Sequence, residues 1–194
     1  KNNPFGNWAT EFSKNILPYP DLYKDQIIVL SAKAYSNIPA LQLGLLPQKW
    51  LSDSLSIRLE HECAHLFTLK TYGSASNNLH DELIADYVGI VRTFGRYDQD
   101  MMLTFLGLEN YPKYRKGARL ENYLPDLPED SFKNICTIIK NAITNISSFD
   151  EKLGKIHSQN DLIARINALC ETNLINLASI CGMHLLTHKY DYKK

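Results

Sequence analysis

His61-Glu62-Cys63-Ala64-His65, followed after sixteen intervening residues by Glu82-Leu83-Ile84-Ala85-Asp86, is the stretch whose reading decides this chain. Apolar residues at Leu55, Leu59, Cys63, Leu66 and Phe67 recur at helical spacing, so the first group lies on a helix from about Ser52 to Tyr72 that Gly73 stops. Four residues span just over one turn of about 3.6, which places both imidazoles on one face, able to grip one metal ion. A second helix is expected from about Asn78 to Thr93. Asn78 caps it, and Asp81 and Glu82 suit the positive end of its dipole. The two helices form a hairpin that carries all the chemistry this sequence announces.

Outward from that hairpin the chain is less eloquent. Residues 26–31 (Gln-Ile-Ile-Val-Leu-Ser) are rich in β-branched and apolar types and read as a strand. Pro39, Gly44 and Pro47 mark residues 34–48 as irregular, and residues 107–128 hold three prolines and read as a hinge or long loop. Helices are expected over about 129–147 and 159–189, the second broken near Cys181-Gly182. The expected fold is mainly α (α+β). A small N-terminal β-sheet and the metal-binding hairpin make one lobe of a single domain (1–106), and a helical lobe follows (107–194).

With 44% hydrophobic and 22% charged residues the chain has the composition of a globular domain, not a disordered one. Lys plus Arg and Asp plus Glu are both 21, so no net basic field draws nucleic acid or anionic lipid. No apolar run is long enough for a membrane span, and Lys1-Asn2-Asn3-Pro4 has no apolar core of a secretory signal. Cys63, Cys136, Cys170 and Cys181 form no C-x-x-C pair and are expected as free thiols in apolar helices. These features together predict a cytoplasmic protein that engages neither membrane nor nucleic acid.

The pattern resembles the gluzincin, thermolysin-like branch of the zincin metallopeptidases. There H-E-x-x-H on one helix is completed by a glutamate within Glu-x-x-x-Asp on the next. The resemblance covers residues 55–90 and implies zinc as cofactor and a peptide or protein as substrate. It makes His61, His65 and Glu82 the metal ligands, Glu62 the general base, and Asp86 the acceptor that holds the far nitrogen of His61. Each role also has a chemical warrant. Catalytic zinc takes three protein ligands and keeps one position open, and a ligating histidine needs its second nitrogen held. Asp86 amid Ile84, Ala85, Val88 and Ile90 is badly placed for solvent and needs a partner.

The metzincin pattern is excluded, since Thr68 and Thr71 stand where it has glycine and a third histidine. An aspartate ligand through Asp81 or Asp86 remains an alternative. His80, Tyr72 and Tyr87 are the residues of the hairpin able to stabilise a developing oxyanion. His184 and His188 form another i, i+4 pair without a neighbouring carboxylate and read as surface decoration. Two rival functions use the same residues. One is a non-catalytic scaffold with a structural metal or a protein-interaction role; the other is a metallohydrolase of a non-peptide substrate.

Overall fold

A computed structural model describes residues 6–25, 27–73, 78–124 and 126–193. Among them the chain is all-helical: α1 (Trp8–Glu11), α2 (Pro47–Tyr72), α3 (Leu79–Phe94), α4 (Gln99–Leu106), α5 (Glu129–Leu153), α6 (Gln159–Cys170), α7 (Leu174–Leu177) and α8 (Gly182–Lys193). No strand occurs among these residues; a lone antiparallel bridge joins Asn110 and Lys113. The α+β class and the N-terminal sheet are therefore corrected. Residue 26 lies outside the described residues, and residues 27–31 run without regular structure. Ile27 and Val29, the alternating pair that reads as a strand face, are 82% and 86% exposed. β-propensity expresses packing on a pleated neighbour, and no second strand is there to supply one.

The helix ends follow local chemistry. Pro47 opens α2 at the first-turn position where its missing N–H costs nothing, earlier than the expected Ser52. Gly73, at φ +71°, closes it in the left-handed conformation that glycine adopts without strain. Asn78 accepts the Asp81 N–H and starts α3. α4, which the sequence reading lacked, begins where Asp98 accepts the Met101 N–H. α5 runs six residues past the expected end at 147, to Leu153. The expected last helix is three helices, with Asn173 accepting the Asn176 N–H to begin α7.

α3 is the axis of the molecule. Every residue from Asp81 to Val91 is buried, as in a helix surrounded by protein rather than lying on a surface. α2 packs along it as an antiparallel hairpin at unusually close range. A Cβ on Gly89 would lie 2.8 Å from the Ile57 carbonyl oxygen and 2.9 Å from Ile57 Cγ2, so only glycine fits there. α6 meets α3 from another side, and α5 packs with α4, α7 and α8. One hydrophobic cluster runs from Tyr35 and Ile38 through α3 and α5 to Leu186 and Tyr190.

Residues 107–124 are packed rather than hinge-like, since Leu108 and Leu120 are fully buried. They carry a short 3-10 turn, Arg119–Tyr123. Tyr35 sits in another short 3-10 turn and enters the core beside α2. All four cysteines are free thiols; Cys136 is buried, Cys170 partly so, and Cys63 and Cys181 are exposed. No described helix is long and apolar enough to cross a membrane.

Candidate metal centre

The hairpin brings the ring nitrogens of His61 and His65 to the carboxylate of Glu82. His61 Nε2 lies 2.9 Å from His65 Nε2 and 3.5 Å from Glu82 Oε2, and His65 Nε2 lies 3.6 Å from Glu82 Oε1. One donor atom from each residue falls within a 4.8 Å cluster. Zinc bonds of 2.0–2.1 Å in a tetrahedron separate two ligand atoms by about 3.3 Å, so these spacings suit one small divalent cation after a slight opening of the imidazole pair. Two imidazoles and a carboxylate are the donor set of zinc hydrolases, and the residues fit the ion.

Each histidine has its own orienting carboxylate on α3. Asp86, fully buried, places Oδ1 2.9 Å from His61 Nδ1. Asp81 places Oδ2 3.0 Å from His65 Nδ1. Each contact holds Nδ1 as the donor and turns Nε2 toward the shared centre. The Asp86 carboxylate also accepts the Tyr35 hydroxyl at 2.6 Å and the Arg119 guanidinium. Tyr123 donates its hydroxyl to Glu82 Oε2 at 2.8 Å.

The two histidines differ in charge preference. Burial, with Arg119 and His65 adding to it, pushes His61 down to about 4, against the pull of Glu82 and Glu62. Burial acts the same way on His65, but the Asp81 hydrogen bond and the charges of Glu82, Asp81 and Glu62 prevail and raise it. With each Nδ1 donating to its aspartate, the two Nε2 atoms, 2.9 Å apart, need one proton between them. That proton sits between the two nitrogens that would share a cation.

Glu62 is half-buried, and its charge acts on both imidazoles. His61, His65, Glu82, Asp86 and Glu62 are thus gathered at one place. The residues expected to stabilise an oxyanion are not. The Tyr72 hydroxyl donates to Asn167 Oδ1, and the Tyr87 hydroxyl donates to Asp150 at the opposite side of α3. His80 lies against the backbone of Leu169 and Thr172 at the end of α6.

Tyr35, Arg119 and Tyr123 stand at the centre instead, and sequence reasoning missed all three. They lie 51, 33 and 41 residues from the groups they touch on α3, beyond any local spacing rule. Asp81 carried a signal, a carboxylate adjacent to Glu82, but was read as an alternative ligand rather than as the partner of His65.

Among protein families, the one described as a family of unknown function, DUF7005, matches residues 1–180. No curated protein and no solved structure matches the chain.

Proposed function

Since the chain belongs to DUF7005, a family of unknown function, we propose its function from the chemistry of the centre alone: a zinc-dependent metallohydrolase that cleaves a peptide or amide bond. The observation that carries the reading is the convergence of His61, His65 and Glu82 within 4.8 Å, with both histidines held from behind by α3 carboxylates. His61 and His65 through Nε2, and Glu82 through its carboxylate, would hold the ion. Bound there, zinc supplies Lewis acidity, which polarises a carbonyl and brings the pKa of water down to about 7.

The chain's own residues do the rest. Glu62 adjoins the first ligand without belonging to the donor triangle, the position for a base that accepts the proton of the attacking water and passes it to the leaving amine. Asp86 and Asp81 keep both imidazoles in the tautomer that presents Nε2. The hydrolysis proceeds without a covalent intermediate on the protein.

One observation favours a second reading, a non-catalytic scaffold with a structural metal. The ligand side chains are largely enclosed, at 7% exposure for His61, 8% for Glu82 and 16% for His65. Structural sites are closed, whereas catalytic ones keep a position for water.

Elemental analysis of untagged protein and of its His65→Ala variant tests the metal: about one equivalent of zinc is expected, lost in the variant. Glu62→Gln then separates the two readings. For a hydrolase it keeps the zinc and lowers turnover of a peptide library roughly 100- to 10,000-fold. A wild-type protein that holds zinc yet cleaves no peptide, ester or amide gives precedence to the scaffold.

A further inference from the structure

The hairpin supplies every donor of the centre, but it does not hold the donors in place by itself. Two of the three ligands are secured from outside it, by the turn Arg119–Tyr123. That turn is anchored independently of the site. Ala118 and Leu120 are buried in the core, and the Glu121 carboxylate accepts the Gly117 N–H at 3.1 Å, fixing the entry to the turn. Leu120 is fully buried, and Arg119 and Tyr123 at the two ends of the turn both reach α3.

Tyr123 donates to Glu82 Oε2 and thereby engages one of the two carboxylate oxygens. Both oxygens face the imidazole pair, Oε1 at 3.6 Å from His65 Nε2 and Oε2 at 3.5 Å from His61 Nε2, so the Tyr123 hydroxyl fixes the rotation of the carboxylate between them. Arg119 acts one step further back. Its Nη2 bonds Asp86 Oδ2, its Nη1 donates to the Tyr35 hydroxyl at 3.1 Å, and its guanidinium lies over the Tyr35 ring at 5.4 Å. Tyr35 in turn donates to Asp86 Oδ1, the same oxygen that meets His61. Asp86 has no exposure at all, and Arg119 pairs with its carboxylate inside the protein.

We propose that Arg119 and Tyr123 are positioning residues of the metal centre: Tyr123 fixes the rotation of the Glu82 carboxylate by holding Oε2, and Arg119, with Tyr35, fixes Asp86 behind His61. The inference rests on the metal reading above and adds what holds the donors of that centre in place. A carboxylate held in one rotation and two imidazole nitrogens at fixed positions present a ready donor triangle to a small cation. A carboxylate free to rotate has to be ordered as the ion binds, and affinity falls.

The test uses the full chain as wild type, Tyr123→Phe, Arg119→Gln and Arg119→Lys. Zinc affinity is measured by competition with a chromophoric chelator, cobalt(II) loading is followed by its visible absorption bands, and thermal melting of the metal-free proteins checks the fold. Tyr123→Phe removes one hydroxyl and keeps the ring, so it remains informative if Arg119→Gln fails to fold. Tyr123→Phe is expected to weaken zinc about 10- to 100-fold and to change the cobalt spectrum. Arg119→Gln weakens zinc by a similar factor, and Arg119→Lys recovers part of it. Wild-type affinity and an unchanged cobalt spectrum in Tyr123→Phe overturn the positioning role while leaving the metal centre standing. A wild type that takes up neither zinc nor cobalt overturns the metal reading and this inference together.

Discussion

Two aspartates on one helix serve two different histidines, and the symmetry is functional rather than sequential. Asp81, in the first turn of α3, reaches His65; Asp86, fully buried and over a turn later, reaches His61. Their environments predict unequal consequences. Asp81→Asn keeps a hydrogen-bonding side chain beside His65 and strands no buried cation, so it should fold normally and lose about 10- to 100-fold in zinc affinity, measured by chelator competition. Asp86→Asn leaves Arg119 buried without its counter-ion, and should in addition lower stability by about 3–5 kcal/mol, read from denaturant unfolding of the metal-free protein. The residues of this centre were legible in the sequence only where spacing carried them. His61 and His65 share a helix face, and Glu82 with Asp86 share the next, because four positions is about one turn. Asp81 looked like a carboxylate placed for the helix dipole, which it also is. Tyr35, Arg119 and Tyr123 belong to no periodic pattern, because short 3-10 turns present side chains by tertiary packing alone.

Between helices, the decisive contact is the near-touch of α2 and α3 at Ile57 and Gly89. It lies one turn before His61 on α2 and about two turns after Glu82 on α3, so it sets how deeply the two helices mesh at the centre. A methyl group there meets backbone, which cannot swing aside. Gly89→Ala should therefore cost about 1–3 kcal/mol through overpacking, despite alanine's better helix propensity, and should loosen zinc binding in the same protein. Calorimetry and chelator competition check the two effects together. Long helices stopped by a glycine were readable in outline, as α2 and α3 demonstrate, the latter with a capping asparagine as well. α4 escaped because eight residues give barely two turns of periodicity, while the residues 27–31 misled because alternating Ile27 and Val29 satisfy a strand pattern without a strand to pair with. Arg58 reaches back to that segment through the carbonyls of Ser31 and Lys33, the tie that a sheet would otherwise have supplied.

At the scale of the whole molecule, a second buried polar network stands beside the centre and shares α3 with it. Arg165, 1% exposed, bonds Asp150 at 2.8 Å and Asp161 at 3.1 Å, while Tyr87 on α3 donates to Asp150 and Tyr190 on α8 donates to Asp161. It ties α3, α5, α6 and α8 into one body. Arg165→Met strands two carboxylates and should destabilise the fold by about 3–5 kcal/mol. Burial acts to raise Asp161, but Arg165, the His157 N–H and Tyr190 outweigh it and hold the carboxyl below its usual 3.8. The stability it contributes is therefore full above pH 3.8 and is lost as pH falls through the lower folded-state value. Asp161→Asn should flatten the acid limb of the unfolding curve below about pH 4 and reduce stability at neutral pH. The turn at Arg119–Tyr123 has a consequence in time as well as in space. A ribosome releases every donor of the proposed centre once Glu82 has emerged, yet Arg119 and Tyr123, which steady Asp86 and Glu82, follow some forty positions later. A chain cut before Arg119 would thus carry all three donors of the proposed centre and both aspartates behind the histidines, without the turn that steadies Glu82 and Asp86.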